Sequence, residues 1–164
     1  MDAAQAQLLP EWQVAQWLNT EQSMSLADLR GQVVLIHAFQ MLCPGCVMHA
    51  IPQARQVHEQ FADQGVAMIG LHTVFEHHDA MQPHALAAFI HEYGLRFPVG
   101  VDAPSADGQP VPRTITLGLA GHADHAGGGS ARALAFAPPR PCAGLAAGRD
   151  PRAAVVRSLT RGFG

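Results

Sequence analysis

The sequence predicts an α/β domain, a central sheet flanked by helices, and three observations carry that prediction. Two nearly continuous apolar runs, residues 33–39 and 66–74, have the length and β-branched content of buried parallel strands. Helical patterns follow each run and are closed by Gly65 and Gly94. A third apolar segment, residues 97–102, completes a strand–helix–strand–helix–strand order, which calls for right-handed parallel crossovers.

At 164 residues the chain is one domain's worth. A chain of that length buries roughly two thirds of its unfolded surface. With 48% hydrophobic and 14% charged residues it is globular, with fewer charges than usual. A formal net charge of −3 gives no reason to expect nucleic acid as a partner, and no apolar run is long enough to span a membrane. Residues 1–7 lack the basic and apolar regions of a secretory signal, so a cytoplasmic location is the expectation. In a reducing compartment a close pair of cysteines is catalytic or metal-bound more often than structural.

Residues 8–18 hold Trp12 and Trp17 and read as an edge strand or hairpin arm whose indoles cover the core. Ser25 can cap a short turn over residues 26–29, with Asp28 in its first turn and Gly31 as the stop. The first buried strand, 33–39, runs into Cys43-Pro44-Gly45-Cys46 and then a helix that continues past Pro52 to about Gln64. After the second strand a helix spans about residues 83–93, with Leu86, Phe89 and Ile90 on one face. Residues 103–112 form a proline-rich turn or loop.

The two thiols of Cys43 and Cys46, two residues apart at the first turn of a helix, are close enough to join in a small strained disulfide. Pro44 suits the first helical position, where its missing N–H would be unpaired anyway. The helix N-terminus favours thiolate over thiol. Cys43 at the cap is the candidate attacker, and Cys46, one turn inside, the resolving thiol. Zinc is the competing use of the pair, with His49 and one more ligand, but no second Cys-x-x-Cys or His pair stands at finger spacing. Cys142 is far away and reads as an incidental thiol. His37 interrupts an apolar strand. It reads either as a buried proton relay or as a core histidine satisfied by a backbone carbonyl. His72, His77, His78 and Asp79 read as a solvated loop after the second strand. Glu76 is a carboxylate that spacing alone does not place.

The order strand, Phe39, Cys43-Pro44-Gly45-Cys46 and a helix interrupted by Pro52 resembles the thioredoxin superfamily. The lead-in Ser25-Leu26-Ala27-Asp28-Leu29-Arg30-Gly31-Gln32 and the strand after it look most like its TlpA/AhpC-TSA (redoxin) branch. The resemblance runs from about Trp12 to Asp102. It implies a thioredoxin-like fold and thiol–disulfide exchange with a protein or small-molecule disulfide or thiol partner. It implies no cofactor beyond the redox-active Cys43–Cys46 pair. It also implies that His37 stands where thioredoxins carry a buried acid, six residues before the first cysteine, so that it serves Cys46. A thiol peroxidase is the rival within the branch, and a zinc-binding or redox-inert interaction domain the rival outside enzymes. Gln40 and Ile36, three and seven residues before Cys43, do not match the Thr or Ser and the proline of peroxiredoxins.

From about Thr114 the resemblance fails. The branch carries a Gly-Thr-Pro after its third strand, then a hairpin and a last helix. Here Val111-Pro112 falls too early, and residues 115–164 are rich in Ala, Gly, Pro and Arg without a period of two or 3.6. The division expected is a redoxin domain over 1–114, incomplete at its C-terminal end, and a poorly ordered tail over 115–164. Codons for Gly121-His122-Ala123-Asp124-His125-Ala126, shifted by one nucleotide, permit Gly-Thr-Pro-Thr-Thr-Leu. The tail therefore reads as out of frame with the family.

Overall fold

Strands β2 (Val33–Phe39) and β3 (Val66–His72) run parallel, paired residue for residue from Val33 with Val66 to Phe39 with His72. β4 (Val99–Asp102) adds in parallel to the other side of β3. β1 (Val14–Leu18) pairs antiparallel with β4, with a bulge between Val14 and Gln16. β5 (Ala131–Ala135) lies antiparallel along the outer side of β2, giving the order β1-β4-β3-β2-β5. The computed structural model describes residues 12–29 and 32–104, and the backbone of 131–135.

Successive parallel strands that step in one direction, joined by crossovers of one hand, send both helices to the same side. Helix α1 (Ile51–Phe61) buries Ile51, Ala54 and Val57, and α2 (Pro83–Glu92) buries Leu86 and Ile90. All five pack in one core with Val33, Leu35, Phe39, Met68, Phe97 and Val99. Each fully buried side chain of this size contributes roughly 1.5–3 kcal/mol. Gly70 lies under this layer: a Cβ there would stand 3.1 Å from Phe97 and 3.2 Å from Phe39, so any larger residue would make those rings give way by a few tenths of an ångström.

The alternate residues Val34, Ile36, Ile69 and Leu71 face the opposite side, where Trp12, Leu29 and the half-buried Trp17, Met24 and Leu26 cover them. The expected edge strand is therefore present, and its indoles do cover core. Trp12 meets Trp17 edge-on, with centroids 5.5 Å apart, and donates its Nε1–H to the Met24 carbonyl at 2.7 Å. The Ser25 turn forms as a reciprocal cap. Asp28 N–H donates to Ser25 Oγ, and Ser25 N–H and Oγ donate to the Asp28 carboxylate, which lowers its pKa. Gly65, at φ 78°, ends the first helical segment in the left-handed region, as its position in the sequence suggests.

Two expectations need correction. His72 lies in the strand, as the apolar run 66–74 predicts, and not in a solvated loop with His77, His78 and Asp79: it is the last residue of β3, 1% exposed, on the face that packs against Phe39. β5 arises inside the stretch that shows no strand period. Ala131-Arg132-Ala133-Leu134-Ala135 contains no β-branched residue, and its pairing along β2 supplies what intrinsic propensity does not. The rest of residues 115–164, including Cys142 and residues 121–126, lies outside the described residues, as does Val111-Pro112.

Candidate active site

β2 ends at Phe39 and the chain turns at once into helix. Cys43 N–H donates to the Gln40 carbonyl at 3.3 Å, and Val47 N–H donates to the Cys43 carbonyl at 3.0 Å. Cys43 is thus the capping residue, with Pro44 in the first helical position, where no N–H is required. The Cys46 N–H donates to Cys43 Sγ at 3.3 Å. A serine or aspartate cap makes the same bond with oxygen. Here the positive end of the helix is directed at a sulfur.

The two thiols are free and differ in access: Cys43 is half-buried, while Cys46 is 4% exposed. Burial is the main cause that pushes the Cys46 thiol up to about 12. Its hydrogen bond with Cys43 and the charge on that neighbour add to the effect, and backbone groups of Gln40 and Cys46 oppose it. One sulfur is therefore reachable, and the other keeps its proton.

Beyond Cys46 the helix takes one wide turn. Residues Cys46–Ala50 are a π-turn, closed by Ile51 N–H to the Cys46 carbonyl, and Pro52 follows immediately. A proline ring inside a regular α-helix would strike the carbonyl four residues back, and the wide turn moves that carbonyl aside.

His37 is completely buried in β2, its ring stacked on Phe39 with centroids 5.8 Å apart and planes 5° apart. Neither Nδ1 nor Nε2 has a hydrogen-bond partner among the described residues, so no backbone carbonyl satisfies it there. Burial pushes its pKa down to about 4. It occupies the sheet face on which Phe39 and Cys46 pack. His49 is exposed on the helix. Among the described residues, no three His, Cys, Asp or Glu side chains gather into a group able to hold a metal ion, so His49 does not complete a zinc set with the two thiols. Glu76, His77, His78 and Asp79 are exposed, and His77 has a left-handed backbone at φ 50°.

Gln40 was harder to single out from sequence. Its side chain is 4% exposed, and Oε1 accepts the Phe75 N–H at 3.2 Å, joining the thiol loop to the loop after β3. A lone amide between two apolar stretches was its only signal.

Three comparisons bear on this geometry. The model of the AhpC/TSA family matches residues 6–108. Among curated proteins, the chain is similar to NHL repeat-containing protein 2 of Bos taurus, at 29% identity over 123 residues, 70% of this chain and 17% of that protein. It is also similar to protein DipZ of Mycobacterium bovis, at 34% identity over 88 residues, 52% of this chain and 12% of that protein. The chain thus spans less than a fifth of the curated relatives it matches. Among solved structures it is similar to a thioredoxin-like superfamily protein, with a TM-score of 0.68, 42% identity and 94% of each chain covered. A thiol-disulfide isomerase from Corynebacterium glutamicum aligns with a TM-score of 0.66, 38% identity and 94% of each chain. The fold is thioredoxin-like, as the sequence predicts.

Proposed function

The chain belongs to the AhpC/TSA family, and from that premise we propose that it is a thiol–disulfide oxidoreductase working through Cys43 and Cys46. The observation that carries this reading is the Cys46 N–H directed at Cys43 Sγ across 3.3 Å, with one sulfur half-exposed and the other buried. The similarity to a thiol-disulfide isomerase supports the same chemistry.

Cys43, as thiolate, attacks one sulfur of a partner disulfide. A Cys43–partner bond forms and the other partner sulfur leaves as thiolate, taking a proton from solvent. Cys46 then loses its proton and attacks Cys43 Sγ, so that the Cys43–Cys46 disulfide forms and the second partner sulfur leaves as a thiol. Two electrons pass to the partner, and the same steps in reverse oxidise a dithiol. The pair itself is the redox group, and no further cofactor enters the balance.

The second step is the demanding one, because the Cys46 proton is held so tightly in the free enzyme. Once Cys43 is tied up in the mixed disulfide its charge is gone, which removes two of the causes holding the Cys46 proton. His37, on the same sheet face and without a hydrogen-bond partner among the described residues, is the group we assign to relay that proton.

The test is thiol trapping across a glutathione redox series. The wild type should pass through one two-electron transition, and Cys46→Ser should accumulate mixed disulfide. His37→Ala should slow resolution about tenfold and formation hardly at all. Thiols that stay alkylatable in mild oxidant would overturn the reading, and turnover of hydrogen peroxide without disulfide exchange would replace it with a peroxidase.

A further inference from the structure

Beyond the strands, the β2 and β3 chains continue side by side. Thr73 N–H donates to the Phe39 carbonyl at 3.0 Å, and Phe75 N–H to Gln40 Oε1 at 3.2 Å. The Gln40 amide is nearly sealed from solvent, yet the residue it holds, Phe75, is 46% exposed. A buried polar group that fixes a backbone N–H while the attached aromatic ring stays in water is spent on placing that ring. The place is the carboxyl end of the sheet, three residues from Cys43 along the Gln40 loop. Leu42, next to Cys43, is 55% exposed there, and Met48, two residues past Cys46, is 64% exposed. Of the four large apolar side chains exposed among the described residues, three therefore surround the thiol loop; Tyr93, at the end of α2, is the other.

Charge narrows the partner. The described residues contain three arginines, Arg55 on α1, Arg96 between α2 and β4, and Arg132, described by its backbone alone, on β5; the whole sequence has no lysine. Arg55 lies 3.9 Å from Glu59. None of the three belongs to the thiol loop or the loop after β3. A small anionic disulfide would find apolar side chains at this rim and, among described residues of these loops, no arginine or lysine.

We infer that Gln40 is a positioning residue that holds Phe75 as one wall of the substrate site, and that the site takes a polypeptide disulfide with an apolar side chain beside its cysteine. The inference rests on the redox reading above. Gln40 also shapes the thiol loop through its backbone, because its carbonyl accepts the Cys43 N–H. That contact survives substitution of the side chain.

Two disulfides test it: a peptide disulfide with leucine next to its cysteine, and bis(2-hydroxyethyl) disulfide, which is neutral and has no side chain to dock. Gln40→Met keeps the volume and removes the acceptor for Phe75 N–H. It should lower kcat/KM for the peptide about tenfold, through KM, and change the small disulfide by less than about twofold. Phe75→Ala, at an exposed position that tolerates truncation, should do the same. The double variant should lose no more than either alone, because both remove one wall. Equal losses on the two disulfides, losses that add, or no loss in Phe75→Ala would overturn the assignment while leaving the redox chemistry standing. A wild type that exchanges with neither disulfide would overturn both.

Discussion

Two imidazoles are sealed into the helix-covered face of the sheet, both beside Phe39, one from its own strand and one from the neighbouring strand. The His37 ring lies 5.8 Å from that ring and the His72 ring 5.4 Å. Both are buried, among the described residues His37 has no partner at either nitrogen and His72 none at Nε2, and desolvation lowers each pKa from 6.5 to about 4. Above pH 6.5 neither the folded nor the unfolded chain holds these protons, and stability is insensitive to them. Between pH 6.5 and about 4 the unfolded chain takes up protons that the folded one refuses, so stability falls as pH falls. At pH 5 the loss is about 2 kcal/mol for each histidine. The urea midpoint should drop between pH 7 and pH 5, and His72→Phe should remove about half of that slope. An unchanged slope in the variant would place the acid sensitivity elsewhere. His37 could be singled out in the sequence because a polar residue stood inside an apolar strand. His72 was ambiguous, because it stood inside the apolar run 66–74 and yet close to the polar His77, His78 and Asp79. Its burial follows from the register that sets it beside Phe39.

At the scale of one element, the thiol-bearing helix is out of step with itself. In a regular α-helix Ile51, five residues after Cys46, would point about 140° away from it. In the structure Cys46, Ala50, Ile51, Ala54 and Val57 are all buried, because the π-turn rotates the segment after it back onto the core side. The turn thus holds one residue more than a regular α-helix would need there. A chain lacking exposed His49 and carrying Pro52→Ala should form an unbroken α-helix and lose no more than about 2 kcal/mol. A chain lacking Gln56, which has no wide turn to absorb the loss, should rotate Val57 and Phe61 off the core and lose more than about 3 kcal/mol. Circular dichroism melts separate the two, and equal losses would discount the role given to the turn. The sequence carried half of this: Pro52 marked the interruption, but apolar periodicity does not distinguish a kink from a change of winding.

For the whole molecule, the parallel run β2–α1–β3–α2–β4 was legible because each strand is a short apolar block and each helix ends on a glycine. The cysteine motif was legible for a related reason, since its chemistry depends on spacing and a helix start, both local in sequence. Long-range arrangement was less visible. Both described helices cover one face, and the N-terminal segment with its two indoles covers the other. Gln40 and Phe75 meet across 35 residues. β5 owes its place to the outer side of β2, a partner that its own residues do not announce.

The pairing of β1 with β4 has a consequence in time. β1 leaves the ribosome before the parallel run, and its partner is the last strand of that run, roughly eighty residues downstream. It cannot dock until that strand exists. Asn19, just past β1, fastens the join by donating from Nδ2 to the carbonyls of Leu95 and Phe97, both at 2.8 Å. The two tryptophans of the chain, Trp12 and Trp17, ride on this late segment. Indole fluorescence in a refolding experiment should therefore report the docking of β1, while far-ultraviolet circular dichroism reports α1 and α2. The fluorescence change should lag the dichroism change, and Asn19→Ala should lengthen the lag; simultaneous traces would mean that the first strand does not wait.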